Sequence, residues 1–223
     1  MVLKIGHRGA ASYEPENTLR SFQKAIELEV DMIELDIRKT KDGKIIVMHD
    51  AKVNRTTNGK GLVKSYTFDQ IRKLDAGKGE KIPTLEEVIS LVEGKCGIVI
   101  ELKEPDTEKE VVELIKEKNI ESKAIIVSFY PPILKTVKSL YPDVRLGILT
   151  NKIPKDYLKV IKSLGVDYAM IRKDKLKREY VDNLHKIGLK VGAWTVDNKK
   201  YFKKLVDMDV DAIASNKPDI LNI

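Results

Sequence analysis

The sequence contains one cysteine, three histidines and one tryptophan in 223 residues. A single thiol, Cys96, can form neither an internal disulfide nor a cysteine metal cluster, and it sits beside the apolar run GIVI as a small packed residue. No apolar run approaches the roughly 20 residues of a membrane span, so stable membrane insertion is not expected. The apolar part of MVLKIGHRGAA is too short for a secretory signal, and a cytoplasmic protein is expected. A glycine-rich phosphate fingerprint, the usual mark of a doubly wound open sheet, is also missing. Aromatics make up only 6% of the chain, and the lysines recur at helical spacing (Lys135 and Lys138, Lys159 and Lys162) instead of forming a basic block. The net charge of +7 therefore reads as solvated helix surfaces, not a nucleic-acid footprint, and it would help steer a small anion.

The chain does contain a regular alternation. Eight short apolar runs lie at 2–6, 31–37, 97–102, 124–129, 144–149, 167–171, 190–196 and 211–215. Amphipathic segments separate most of them, such as Leu19, Phe22 and Ile26, or Val111, Leu114 and Ile115. Pro131 and Pro154 sit near helix starts, and Gly165 and Gly188 sit where helices should stop. Asn17 reads as the N-cap of the first helix, and Thr84 before Glu86 and Glu87 marks another helix start. Eight βα units in a chain of this length predict a single α/β domain spanning 1–223, a TIM (β/α)8 barrel. One stretch breaks the rhythm. After an Asp-Gly turn at Lys41–Gly43, residues 40–83 show little periodicity and read as a small insertion after strand 2.

Polar residues interrupt the runs at their C-terminal ends, where barrel chemistry is built. In MIELDIR, Glu34 and Asp36 are two apart and share one face, while Ile33, Leu35 and Ile37 take the other. Glu101 and Lys103 repeat the pattern in IVIELKE. Three inward carboxylates repel one another and are costly to desolvate. Either a lysine bridges them or a cation does. The donors are all oxygen, so the expected ion is hard: Mg²⁺ or Ca²⁺, with Mn²⁺ also suited. His7 ends the first run and His49 ends IIVMHD, placing two imidazoles beside that cluster, whereas His185 lies in a helical stretch as a half-exposed residue. The HRG at 7–9 reads either as an incidental basic loop or as a site for an anion.

Taken in order, these motifs resemble the glycerophosphodiester phosphodiesterase family: HRG with PENT at 15–18, ELD followed by TKDG, and HD with RTTNGKG. They continue with PTLEE at 83–87, IELK at 100–103, SF at 128–129 and WTVD at 194–197. The resemblance implies metal-dependent hydrolysis of a small anionic glycerophosphodiester to glycerol 3-phosphate and an alcohol. It further implies Glu34, Asp36 and Glu101 as metal ligands, His7 and His49 as the acid/base pair, Arg8 and Lys103 as phosphate contacts, and Trp194 as a wall of the alcohol or glycerol pocket. Residues 40–83 resemble the family's insertion. The chain departs from the pattern at its last strand, where the family's usual Thr-Asp before proline is replaced by Ser215-Asn216. Three other activities would each make a different demand on the chain. Phospholipase D-like hydrolysis of lysophospholipids would need an acyl ramp; Leu62, Val63, Tyr66 and Phe68 would serve either as that ramp or as a small core of the insertion. A non-catalytic glycerophosphate-binding protein is disfavoured because all seven core polar positions, His7, Arg8, Glu34, Asp36, His49, Glu101 and Lys103, are present. A basic nuclease would need the aromatic platform that the chain lacks.

Overall fold

A computed structural model describes residues 2–153 and 156–222; Pro154 lies outside the described residues. Eight parallel strands close on themselves: β1 (Leu3–His7), β2 (Met32–Lys39), β4 (Gly97–Leu102), β5 (Ala124–Ser128), β6 (Arg145–Thr150), β7 (Tyr168–Arg172), β8 (Lys190–Trp194) and β9 (Ala212–Ser215). Closure is complete because β1 pairs with both β9 and β2. This is the barrel expected from the alternation. β3 (Ile45–Val47) is an addition, pairing antiparallel with the end of β2 through the Asp-Gly turn, where Gly43 has φ of +84°.

The period of two divides each strand between two cores. Ile33, Leu35 and Ile37 of β2 face outward with Ile98, Ile100 and Leu102 of β4, against the helices. Met32 and Val99 face inward with Ile5, Ile125, Val127, Leu149, Met170 and Ala214, filling the barrel floor. Glycine makes room there: a Cβ at Gly192 would lie 2.2 Å from Met170 Sδ.

The helices between strands are α1 (Leu19–Glu27), α3 (Leu85–Val92), α4 (Glu108–Glu117), α5 (Pro131–Leu140), α6 (Tyr157–Ser163), α7 (Arg178–Lys186) and α8 (Lys199–Val206). Thr84 closes a reciprocal capping box with Glu87, Pro131 opens α5, and Gly165 and Gly188 take positive φ just beyond α6 and α7. The first helix starts differently from the expectation. Thr18, not Asn17, is the N-cap, accepting from the Ser21 N–H. Asn17 adopts φ of +59°, which turns its amide inward to the Asp36 carboxylate of β2.

Residues 40–83 hold β3, a short helix α2 (Phe68–Ile71) and a small core of Ile46, Met48, Val53, Val63, Ile71, Ala76 and Ile82. Tyr66 and Phe68 pack against that core and Val63 is inside it, so these three side chains serve the segment's own core. Among the described residues, no helix is long and apolar enough to cross a membrane.

Candidate active site

Strand register assembles the site. His7 stands opposite Glu34 across β1 and β2, and Asp36 stands opposite Glu101 across β2 and β4. His7 ends β1 and Glu101 is next to last in β4, with Lys103 just beyond; Glu34 and Asp36 lie within β2, whose last residues run on to pair with β3. A cavity of about 260 Å³ opens there, lined by His7, Arg8, Glu34, His49, Glu101, Lys103, Phe129 and Trp194. Asp36 lies fully buried, with Arg8 Nε 3.3 Å from its Oδ2 and Lys103 Nζ 3.3 Å from its Oδ1. The predicted site residues therefore meet in one place.

One carboxylate oxygen from each of Glu34, Asp36 and Glu101 falls within 4.8 Å of the others. Burial pushes the Glu34 and Glu101 carboxyls up to about 8, and the Asp36 charge adds to both. Asp36 moves the other way: burial raises it, but Lys103 and Arg8 outweigh that and hold it down at about 2. The cluster thus concentrates one charge on Asp36 and leaves two carboxyls poised to lose protons to a cation. The donor set fits a hard divalent ion. It is oxygen only, it is buried, and Asp36 Oδ1, sealed from solvent with Lys103 Nζ 3.3 Å away, accepts no hydrogen bond from the described residues.

That balance makes a prediction with a definite sign. A carboxyl raised in the fold from 4.5 to about 8 costs stability progressively as pH rises through that window. A bound cation removes the cost, because it takes the place of the protons. The Tm difference between protein in Mg²⁺ or Ca²⁺ and protein in EDTA should therefore widen as pH rises from 4.5 to about 8. A gap independent of pH would mean that the three carboxylates do not share an ion.

Each histidine is held from behind. His49 Nδ1 lies 2.6 Å from Asp50 Oδ1; because a carboxylate only accepts, the ring carries its proton on Nδ1. Asp50 is itself gripped by Arg55, which donates from Nε at 2.8 Å and from Nη2 at 3.1 Å. Arg55 also donates twice to Glu16, and Glu16 accepts from Arg8 at 2.9 Å. This chain ties the insertion to the loop after β1. His7 Nδ1 contacts Asn216 Oδ1 at 2.7 Å, and its Nε2 lies 3.9 Å from Glu34 Oε2. Burial lowers both histidines below the usual imidazole value.

The loop from β1 to α1 is shaped for this. Arg8, which lines the cavity, takes φ of +53°, which lets its backbone N–H donate to Glu34 Oε2 at 2.9 Å while its guanidinium reaches Asp36 and Glu16. Gly9 has φ of +84° and lies so close to α1 that a Cβ would meet Ser21 Oγ at 2.4 Å. Trp194 donates from Nε1 to the Met170 carbonyl at 2.9 Å and meets Phe129 edge-on, with centroids 5.5 Å apart. The away-facing His185 stays half-exposed and bonds to Asp211.

Sequence reasoning missed the supports. Asn17 donates to Asp36 Oδ2 at 2.8 Å, and Glu16, Asp50, Arg55, Asp197 and Asn216 form the outer layer. Five of these six lie inside quoted motifs, PENT, HD, RTTNGKG and WTVD, where their presence carried no hint of what they bond.

Comparison with known proteins agrees with this architecture. The model of the glycerophosphoryl diester phosphodiesterase family matches residues 7–220. A glycerophosphodiester phosphodiesterase of Caldanaerobacter subterraneus subsp. tengcongensis is 38% identical over 98% of this chain and 96% of its own. One from Bacillus altitudinis is 36% identical over 96% of this chain and 94% of its own. An Oleispira antarctica phosphodiesterase, solved in complex with its product sn-glycerol-3-phosphate, is 28% identical and superimposes with a TM-score of 0.92 over 98% of this chain and 94% of that one. With the barrel, the acidic triad and the two histidines in the order that the motifs require, this chain belongs to the glycerophosphoryl diester phosphodiesterase family.

Proposed function

We propose that this protein hydrolyses water-soluble glycerophosphodiesters to glycerol 3-phosphate and a free alcohol, using one divalent cation and the two histidines. The observation that carries the reading is the cavity, in which both imidazoles, Arg8 and Lys103 surround a buried carboxylate triad. Relatives named for this reaction, and a structural neighbour holding sn-glycerol-3-phosphate, support it.

Glu34, Asp36 and Glu101 would hold Mg²⁺, Ca²⁺ or Mn²⁺, which when bound supplies Lewis-acid stabilisation of charge on the phosphoryl group. The chain's own residues account for the remainder. Arg8 and Lys103 are the cations lining the cavity, and they offset the charge that grows on the phosphate oxygens in the transition state. Lys103 is held by Glu101 at 2.7 Å and by Asp36, so its ammonium is oriented before substrate arrives. One histidine takes the proton of the attacking oxygen, and the other delivers a proton to the departing alkoxide. Both rings hold their Nδ1 protons against fixed acceptors, which leaves Nε2 of each for this exchange. Trp194 and Phe129, crossed edge to face, form an apolar wall for the carbon skeleton of the glycerol or alcohol.

The reading is tested by incubating the purified protein with glycerophosphocholine and with lysophosphatidylcholine in the presence of Mg²⁺ or Ca²⁺. Release of glycerol 3-phosphate at a rate well above that of choline from the lysolipid is expected. Three of the four insertion side chains suited to an acyl ramp, Val63, Tyr66 and Phe68, pack in or against its own core, which favours the soluble diester. Faster turnover of the lysolipid would reverse the assignment, and inertness toward every diester would leave a binding protein.

A further inference from the structure

The departure at the end of the last barrel strand has a partner elsewhere in the chain. Asn216, which stands where the family's usual Asp would be, lies between His7 and Asp197. Asp197 comes from the loop after β8, does not line the cavity, and is joined to His7 through Asn216. Its Oδ1 accepts from the Asn216 backbone N–H at 2.8 Å and from Ser215 Oγ at 3.2 Å, and its Oδ2 accepts from Asn216 Nδ2 at 2.9 Å. A carboxylate is an acceptor only, so the Asn216 amide has one permitted orientation: nitrogen toward Asp197, oxygen toward His7. That oxygen, 2.7 Å from His7 Nδ1, in turn requires the Nδ1 proton.

We infer that Asp197 and Asn216 are a positioning pair, in which a remote carboxylate sets the tautomer of His7 through an intervening amide. The lone pair of Nε2 is thereby kept toward the cavity and the Glu34 side. The pair also explains the departure. An Asp at 216 would face the Asp197 carboxylate across a 2.9 Å contact, so the two positions must carry one amide and one carboxylate between them. Exchanging the residues preserves the chain, because a carboxylate at 216 still accepts from Nδ1 and an amide at 197 still donates to it. Changing Asp197 alone does not. The Asn in Asp197→Asn keeps its oxygen on the 216 N–H and on Ser215, turns its NH₂ toward the Asn216 amide and forces that amide to flip. His7 Nδ1 then faces a donor, and the ring proton moves to Nε2.

The role assigned to His7 rests on the proposed function, but the tautomer can be read without any substrate. Long-range ¹H–¹⁵N correlation of histidine-labelled protein at about pH 8 resolves only three rings. His185, which donates from Nε2 to Asp211 Oδ2 at 2.8 Å, supplies the opposite tautomer as an internal reference. His7 should be Nδ1-protonated in the native chain and should shift to the Nε2–H form, or to a mixture, in Asp197→Asn. The same variant should lose at least about tenfold in kcat with KM little changed; a misplaced histidine proton costs up to about 10⁴ in the serine-protease triad. The double exchange Asp197→Asn/Asn216→Asp should restore both the tautomer and most of kcat. Retention of the Nδ1–H form in Asp197→Asn would overturn the relay, as would a double variant that melts like the native chain yet recovers neither readout. A native chain inert on every diester would instead overturn the function, and the ring tautomers would still decide the relay.

Discussion

Removing divalent cations should lower turnover of glycerophosphocholine by at least about a hundredfold, because the charge stabilisation a bound ion provides is worth several kcal/mol. The effect should reverse on adding back Mg²⁺, Ca²⁺ or Mn²⁺. The triad explains the size. Glu34, Asp36 and Glu101 are all buried, and among the described residues Lys103 and Arg8 are the permanently charged cations paired with them. Glu34→Gln and Glu101→Gln are the informative variants. Without a cation these two carboxyls are pushed up to about 8, so a neutral amide of the same shape resembles their resting state. Each variant should keep the Tm of the metal-free protein while losing most of the activity and most of the Tm gain from added cation. Asp36→Asn is less clean: it strands Lys103 and Arg8 without their shared partner, and breaking a buried charge set typically costs about 3–5 kcal/mol. Turnover that survives complete chelation would sink the carboxylate–metal assignment.

His7→Ala and His49→Ala should each reduce kcat by about 10²–10⁴, the usual worth of a positioned proton donor or acceptor. The double variant should lose much less than the product of the two, since residues acting as one unit are not additive. A p-nitrophenyl phosphodiester separates their roles, because its leaving group departs without a proton. The histidine serving as acid should become far less important on that substrate, while the one serving as base should keep its full effect. The surroundings differ in kind: His49 is backed by the Asp50 carboxylate under Arg55, His7 by the neutral amide of Asn216. Near-native turnover by either single variant would demote that ring to a structural part.

How much of this could be read in advance follows from how local each feature is. Inward placement of Glu34 with Asp36, and of Glu101 with Lys103, depends only on the two-residue period of a strand, so the sequence carries it directly. The same holds for the eight-unit rhythm, the Thr84 capping box and the Gly43 turn, each of which is satisfied within a few residues. Asn17 marks the limit. Its residue type suits an N-cap, but φ of +59° passes the cap to Thr18 and turns the amide 19 positions along the chain to Asp36. Likewise Leu62, Val63, Tyr66 and Phe68 were apolar residues in a loop, and whether they face a ligand or one another depends on how the loop closes.

By itself, then, the sequence determined a TIM barrel, the face of each strand that carries carboxylates, and the residue types that could bind a hard ion and move protons. Tertiary structure alone decided which of those residues meet. Barrel closure and register set Asp36 against Glu101 and His7 against Glu34. The return of the last strand to the first set Asn216 and Asp197 behind His7, across 209 positions of chain. The physical reason is that side-chain direction repeats locally along a strand, whereas distance between strands depends on pairing partners that no local pattern specifies.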